Sequence, residues 1–146
     1  MSEHATATER ERIRAVVEGL WAAIGARNVE EALRHYAPEL VQYSLAPPLR
    51  SSGPDAKELA AWFATWRGPI GLESRDLVIH AGADVAFCTS LNRMTGTKSD
   101  GEQVGLWYRS TFGLRKLGGR WLVVHEHESV PFHMDGSYHA AVDLAP

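Results

Sequence analysis

The sequence contains one cysteine, no long apolar run and no excess of basic residues. The lone cysteine, Cys88, cannot form an internal disulfide or supply a thiolate-rich zinc site, and it is compatible with a reducing compartment. No segment is apolar over the length that spans a bilayer, and the opening MSEHATATERER is polar where a secretory signal would be apolar. We therefore expect a cytoplasmic protein without a membrane partner.

The charge balance argues against a nucleic-acid partner. The chain has 15 basic and 18 acidic residues and a net charge of −3, so no basic excess is present to neutralise a phosphate backbone. A glycine-rich phosphate loop and a GxSxG nucleophile motif are also missing, and we expect no cofactor. With 146 residues, 45% of them apolar, the chain is predicted to form one domain over residues 1–146.

Helices are predicted in the first half of the chain. Residues 8–26 carry apolar side chains at spacings of three and four, which is typical of an amphipathic helix. These side chains are Ile13, Val16, Val17, Leu20, Trp21 and Ile24. Asn28 followed by Glu31 has the capping-box spacing of a second, short helix that Pro38 ends. A strand is expected at residues 40–45, and Pro54 suits the first turn of a third helix.

Strands dominate after Gly71. Four segments rich in β-branched and aromatic residues are separated by the turn sequences AGAD, KSDG and LGGR. Helices followed by a strand meander predict an α+β fold, in which the helices cover one face of an antiparallel sheet.

The segment RWLVVHEHESVPF, residues 120–132, places two histidines and two glutamates at the end of the last predicted strand. Side chains alternate between the two faces of a strand. On strict alternation, one face carries Trp121, Val123, His125 and His127. The opposite face carries Glu126 and Glu128, which we expect in a subunit contact or in solvent.

Aligning the polar faces of the last three strands gathers cations and aromatic rings on one surface. That surface carries Arg93, Trp107, Arg109, His125 and His127. A cationic and aromatic lining suits a carboxylate or enolate ligand.

Each of these residues has a simpler interpretation. The histidines can end a solvated strand, the arginines can pair with surface carboxylates such as Glu102, and the tryptophans can fill the core. Two histidines at i and i+2 can also bind a divalent metal, but no further ligand follows at motif spacing, and we assign no metal site.

These segments together resemble the SnoaL-like, ketosteroid isomerase-like branch of the nuclear transport factor 2-like superfamily. The resemblance runs from about residue 10 to residue 132 and rests on the long first helix, the short helix ending HYAP, the proline-rich loop and the closing GGRWLVVHEHESVPF. The last block is also similar to the association domain of calcium/calmodulin-dependent kinase II. The shared positions are Gly119, Trp121, Val124, His125 and His127, with Ser129 two positions after His127.

The resemblance implies a cone-shaped, strongly curved antiparallel sheet wrapped around the long N-terminal helix, with two further helices. It also implies a pocket between the helices and the sheet, and a homodimer formed through sheet surfaces. Ketosteroid isomerases place an aspartate base near the end of the first strand. The matching position here is Ser44, next to Tyr43, and a serine is not a base near neutral pH.

We therefore expect a small-molecule pocket protein that acts as a cofactor-independent isomerase, cyclase or lyase on a carbonyl or carboxylate compound. His127 would be the general acid or base, assisted by His125, and Tyr43 would donate a hydrogen bond. The ligand would be a small organic molecule, anionic or carbonyl-bearing. Its predicted contacts are Arg93, Arg109, Trp21, Trp62, Trp107 and Ser44.

Two alternatives remain open on the sequence. One is a non-catalytic ligand-binding or oligomerisation module, and the other is a metal-dependent enzyme that uses His125 and His127. The tail, residues 133–146, is compatible with a lid, a dimer arm or a loosely held end, and its terminal position favours the loosely held end.

Overall fold

A computed structural model describes residues 3–146, with side chains from residue 8 onward. The helices are α1 (Glu3–Gly25), α2 (Val29–Leu33) and α3 (Ala56–Ala64). The strands are β1 (Tyr36–Tyr43), β2 (Ser51–Ser52), β3 (Trp66–Ala81), β4 (Val85–Lys98), β5 (Gln103–Leu117) and β6 (Arg120–Ser129). Within residues 3–146, none of the helices combines the length and the hydropathy that a membrane crossing requires.

The six strands form one mixed, mostly antiparallel sheet in the order β2-β1-β6-β5-β4-β3. Strands β3 to β6 are the predicted meander, and β1 joins β6 in parallel. Register shifts interrupt the pairing of β3 with β4 at two points, and such irregularities bend and twist a sheet. The sheet curves around α1, which confirms the predicted α+β cone.

The core lies between α1 and the concave face of the sheet. Ile13, Val17 and Leu20 of the predicted apolar stripe are at most 1% exposed, and they pack in one cluster with Phe112 and Val123. A second cluster joins α3 to the start of β3 through Phe63, Trp66 and Ile70. The three-and-four spacing of the first helix therefore identified its buried face correctly.

Helix capping follows the sequence closely. The amide of Glu31 donates to Asn28 Oδ1 at 3.1 Å, which confirms the predicted cap of α2. Pro54, predicted in the first turn of α3, precedes that helix, which begins at Ala56. Asp55 caps it by accepting hydrogen bonds from the amides of Lys57 and Glu58. The prediction that Pro38 ends α2 is wrong, because α2 ends at Leu33 and Pro38 lies inside β1, where the pairing with β6 is irregular and one missing amide is tolerated.

A β-bulge in β6 decides which side chains face the helices. Val123 pairs with Leu114 and His125 pairs with Gly113, so Val124 is one residue too many on β6. An extra residue reverses the alternation beyond it. Trp121 and Val123 face inward before the bulge, and Glu126 and Glu128 face inward after it. The prediction that places the glutamates in solvent or a subunit contact is therefore wrong.

Candidate active site

A cavity of about 660 Å³ lies between the helices and the concave face of the sheet. Most of its wall is apolar and aromatic, and the larger side chains there are Trp21, Ile24, Trp62, Trp66, Met94 and Leu106. One polar group in the wall consists of Tyr36, Gln42, Tyr108, Glu126 and Glu128, and the lining also includes the polar residues Ser44, Ser51, Asp55, Glu58 and Lys98. An enclosed apolar cavity with a few convergent polar groups is the usual form of a small-molecule site.

Glu126 is the more enclosed of the two glutamates, at 8% exposure. Its Oε2 accepts two hydrogen bonds, from the Tyr36 hydroxyl at 3.0 Å and from Gln42 Nε2 at 2.6 Å. Among the described ion pairs, none involves Glu126. Burial raises the pKa of Glu126, and the two hydrogen bonds oppose that rise because they stabilise the carboxylate.

Glu128 lies two residues further along the same face and is surrounded by protein while part of its surface is open to the cavity. Burial is the main reason that its pKa rises to about 8, and the charge of Glu126 adds to the effect. A hydrogen bond with the Tyr108 side chain lowers the pKa of Glu128 and so opposes part of this rise. Two enclosed carboxyl groups this close do not both ionise near neutral pH. We assign the carboxylate to Glu126, which accepts two hydrogen bonds, and the proton to Glu128.

A polar layer supports Tyr108 and Glu128 from the neighbouring strands. Tyr108 also forms a side-chain hydrogen bond with Asn92. The Asn92 side chain is 2% exposed, and its Oδ1 accepts a hydrogen bond from the Ser90 hydroxyl at 2.8 Å. Ser110 pairs with Glu128 across β5 and β6, and its buried hydroxyl has no hydrogen-bond partner among the described side chains. Side chains fixed in this way hold a reactive group in one orientation.

The mouth of the cavity is bordered by the loops around β2 and by the C-terminal tail. Ala140 and Val142 of the tail contribute to the lining. An isolated bridge between Phe132 and Ala140 and a hydrogen bond from the Ala141 amide to the Pro131 carbonyl, 2.8 Å long, hold the tail there. The expectation of a loosely held end is therefore wrong, since residues 131–142 fold back onto the mouth.

The predicted site residues divide between the two faces of the sheet. Trp21, Trp62 and Ser44 line the cavity, as expected. The remaining six lie on the convex outer face and not in the cavity: Tyr43, Arg93, Trp107, Arg109, His125 and His127. The histidines face outward because of the bulge at Val124. Arg93, Trp107 and Arg109 face outward because the odd-numbered residues of β4 and β5 do so.

The outer residues do form the predicted group. The Tyr43 ring makes edge contacts with His125 and His127 at centroid distances of 4.9 and 5.3 Å. Arg109 Nε donates to Ser129 Oγ at 3.1 Å. Strand pairing places Arg93 opposite Trp107. A role in binding or chemistry for this outer group stays a prediction.

Sequence reasoning missed Tyr36, Gln42, Tyr108 and the two glutamates. One signal in the sequence pointed to them, because Tyr108, Phe112 and Leu114 make one face of β5 more apolar than the other. The more apolar face of a half-buried strand is the one that faces the core. The residues paired with that face belong to the cavity.

Metal ligands are not clustered in the described part of the chain. Nowhere in it do three or more His, Cys, Asp or Glu side chains lie close enough together to hold an ion. The rings of His125 and His127 are 6.3 Å apart, with Tyr43 against both.

The chain belongs to the SnoaL-like domain family, whose model matches residues 13–133. A nuclear transport factor 2-like protein of unknown function from Pseudomonas putida is 32% identical, with a TM-score of 0.85 over 97% of this chain and 98% of that one. No curated protein matches the sequence.

Two more distant structures share the fold. A protein from Novosphingobium aromaticivorans, provisionally assigned as a scytalone dehydratase, is 14% identical and has a TM-score of 0.78 over 88% of this chain and 87% of its own. The association domain of calcium/calmodulin-dependent kinase II from C. elegans is 18% identical, with a TM-score of 0.67 over 88% of this chain and all of that domain. Both resemblances stated from the sequence are thereby confirmed at the level of the fold.

Proposed function

We propose that this protein is a cofactor-independent acid/base enzyme that isomerises or dehydrates a small carbonyl compound. The observation that carries the proposal is the pair of glutamates enclosed in one largely apolar cavity, neither of which forms an ion pair with a described residue. Burying two carboxyl groups is unfavourable unless they are neutralised or used, and strongly perturbed acids inside cavities are frequent catalytic groups.

Glu126 is the proposed base. Both of its described hydrogen bonds go to Oε2, which leaves the lone pairs of Oε1 for a substrate proton. The Tyr36 and Gln42 bonds orient the carboxylate, and the apolar wall keeps water away from it. A carbon-bound proton next to a substrate carbonyl would pass to Oε1.

Glu128 and Tyr108 are the proposed acid and hydrogen-bond donor. The proton on Glu128 would bond to the substrate carbonyl oxygen and stabilise the negative charge that develops as the neighbouring C–H bond breaks. Glu126 then returns its proton to a different carbon, which completes an isomerisation. Alternatively, the enolate expels a β-hydroxyl group that takes the proton from Glu126 and leaves as water.

The non-catalytic alternative is less well supported by the site. An assembly module has no use for two enclosed carboxyl groups, and a binding module would gain more from an apolar or neutral wall at those positions. The fold is compatible with both roles, since it includes the kinase association domain as well as the scytalone dehydratase neighbour. The side chains of the cavity favour the enzyme.

We also infer that the protein forms a homodimer through the outer face of the sheet. Val78, Val85 and Phe87 lie together on β3 and β4 and are 47%, 57% and 49% exposed. A second copy of the sheet would cover these apolar side chains. The predicted small-molecule ligand would then bind inside each cone, on the other side of the sheet.

Proton transfer on carbon can be measured before the natural substrate is known. A panel of neutral cyclic ketones is incubated with the protein in D₂O, and loss of the proton signals next to the carbonyl is followed by NMR. We expect the wild type to accelerate exchange of at least one ketone, Glu126→Gln to lose the acceleration, and His127→Gln to retain it. Exchange that survives in Glu126→Gln would refute the assignment. Ketones that bind without exchanging would favour a binding module.

A further inference from the structure

A second polar position lies in the same cavity, away from the glutamates, where β3 begins and β4 ends. Trp66 and Lys98 both line the cavity there and are paired across the two strands. Lys98 Nζ is 4.2 Å from the centre of the Trp66 ring. Of the described residues that line the cavity, Lys98 alone carries a positive charge.

The Lys98 ammonium group has unused donors. It donates one hydrogen bond, to Thr65 Oγ1 at 2.5 Å. In the part of the chain with described side chains, no carboxylate lies within ion-pair distance of it. Since an ammonium group has three donors, two remain for water or a ligand.

Trp66 lies beneath the ammonium group. The side chain is 4% exposed, and its Nε1 is enclosed without a hydrogen-bond partner among the described residues. A Cβ placed on Gly96 would lie 2.9 Å from Cζ3 of the ring, so the six-membered edge packs against the β4 backbone. Nε1 belongs to the other edge of the indole. Because Nε1 is enclosed on all sides, the indole does not offer a hydrogen bond to a ligand, and its contribution is the ring face on which the Lys98 ammonium group lies.

We propose that Lys98, held over the Trp66 ring, binds the carboxylate of an elongated, largely aromatic ligand. The carboxylate oxygens would accept the unused hydrogen bonds of the ammonium group. The proposal rests on the proposed function in one respect: the reacting carbonyl is placed at the glutamate end of the cavity.

The length of the ligand follows from the strand between the two ends. Tyr108 and Val104 both line the cavity and are four residues apart on β5, which corresponds to about 13 Å. Gly96 pairs with Val104, and Lys98 lies two residues beyond Gly96. The wall between the ends includes Met94 and Leu106. An aromatic keto acid with its two polar groups at opposite ends fits this distribution.

The proposed carboxylate site at Lys98, called the anchor below, is tested by measuring binding, independently of catalysis. Isothermal titration calorimetry compares biphenyl-4-carboxylate with its neutral carboxamide, which has the same shape. The variants are Lys98→Met, which removes the charge, and Trp66→Phe, which replaces the indole beneath the ammonium group by a smaller ring. Lys57→Met on the exposed side of α3 is the matched control. Thermal unfolding shows that each variant is folded.

We expect the wild type to prefer the carboxylate. Lys98→Met should weaken carboxylate binding by roughly 10- to 100-fold, the loss expected for a hydrogen bond to a charged group, and leave carboxamide binding within about twofold. Trp66→Phe should weaken the carboxylate by a few fold, and Lys57→Met should change neither ligand.

Three results would each overturn the anchor. The wild type could bind the carboxylate and the carboxamide equally, Lys98→Met could weaken the binding of both to the same extent, or the wild type could bind neither. The acid/base assignment is tested separately by deuterium exchange of neutral ketones in Glu126→Gln. If Glu126→Gln loses the exchange as expected, but Lys98→Met binds the carboxylate and the carboxamide as the wild type does, the carboxylate site at Lys98 is refuted and the acid/base assignment stands.

Discussion

Glu126 and His127 are neighbours in the chain but lie on opposite faces of β6, in very different surroundings. Glu126 is 8% exposed and bonded to Tyr36 and Gln42, whereas His127 is exposed on the outer face beside Tyr43. The outer face has the greater number of cationic groups, whereas the inner face has two carboxyl groups whose pKa burial raises. Enclosure, more than the number of ionisable residues, marks the candidate active site.

The largest difference between the faces should appear in catalysis. Glu126→Gln keeps the shape of the side chain but removes the base, and we expect turnover to fall by roughly 100- to 10,000-fold. His127→Gln, one residue away on the outer face, should stay within about threefold of the wild type. The rate of deuterium exchange measures both. A comparable loss in the two variants would remove the distinction between the faces.

The next effect is on stability as a function of pH. Burial raises the pKa of Glu128 from 4.5 to about 8, so the folded state binds this proton more tightly than the unfolded chain does. The resulting stabilisation is complete below about pH 4.5 and is lost as the pH rises through 8. Glu128→Gln carries no charge to bury, and at pH 9 it should be more stable than the wild type by a few kcal/mol, on the order of the linkage expected from such a shift.

Urea unfolding at pH 5 and pH 9 measures this difference. The exposed Glu73→Gln is the matched control and should keep the pH dependence of the wild type. If Glu128→Gln also kept it, Glu128 would not be the group that holds the proton.

A smaller effect is expected from the phenol that orients the base. Tyr36→Phe removes a donor to the Glu126 carboxylate, so the pKa of Glu126 rises and turnover near neutral pH falls by about tenfold, with the acidic limb of the pH–rate profile moved to higher pH. Tyr43→Phe removes the corresponding hydroxyl from the outer face and should leave the profile unchanged. If the pH–rate profile moved in Tyr43→Phe and not in Tyr36→Phe, the assignment of the active site to the inner face would be contradicted.

The smallest expected effect on the free energy of unfolding comes from the outer apolar group. Phe87→Asp should convert a dimer to a monomer by placing a charge in the interface, while the stability of each subunit changes by only about 0.5 kcal/mol. Light scattering coupled to size-exclusion chromatography measures the mass, and Glu73→Gln is again the control. A dimer that persists in Phe87→Asp would place the interface elsewhere.

Much of the fold could be predicted from local patterns. The spacing of Ile13, Val17 and Leu20 defined the buried face of α1, and Asn28 with Glu31 defined the start of α2. The turns between the last four strands were also correctly located, and Gly118 and Gly119 both have the positive φ that such a hairpin requires. Each of these signals depends on residues within a few positions of one another.

The site was predicted less well because its members come from distant parts of the chain. Tyr36 and Gln42 reach Glu126 across 90 and 84 residues, through a parallel pairing of β1 with β6 that no local motif encodes. The docking of Ala140 and Val142 at the mouth is likewise a long-range contact.

By itself the sequence determined the order of the helices and of every strand except the two-residue β2, which lies in the segment predicted as a loop, together with the family and the alternation of residues within each strand. It also placed the outer histidines and arginines on a common face, since period-two geometry is local. Only the tertiary structure decided which face is enclosed. On β6 that choice depends on a single extra residue, Val124, which lies between the Val123–Leu114 and His125–Gly113 pairs and is set by the pairing with β5, not by its neighbours in the chain.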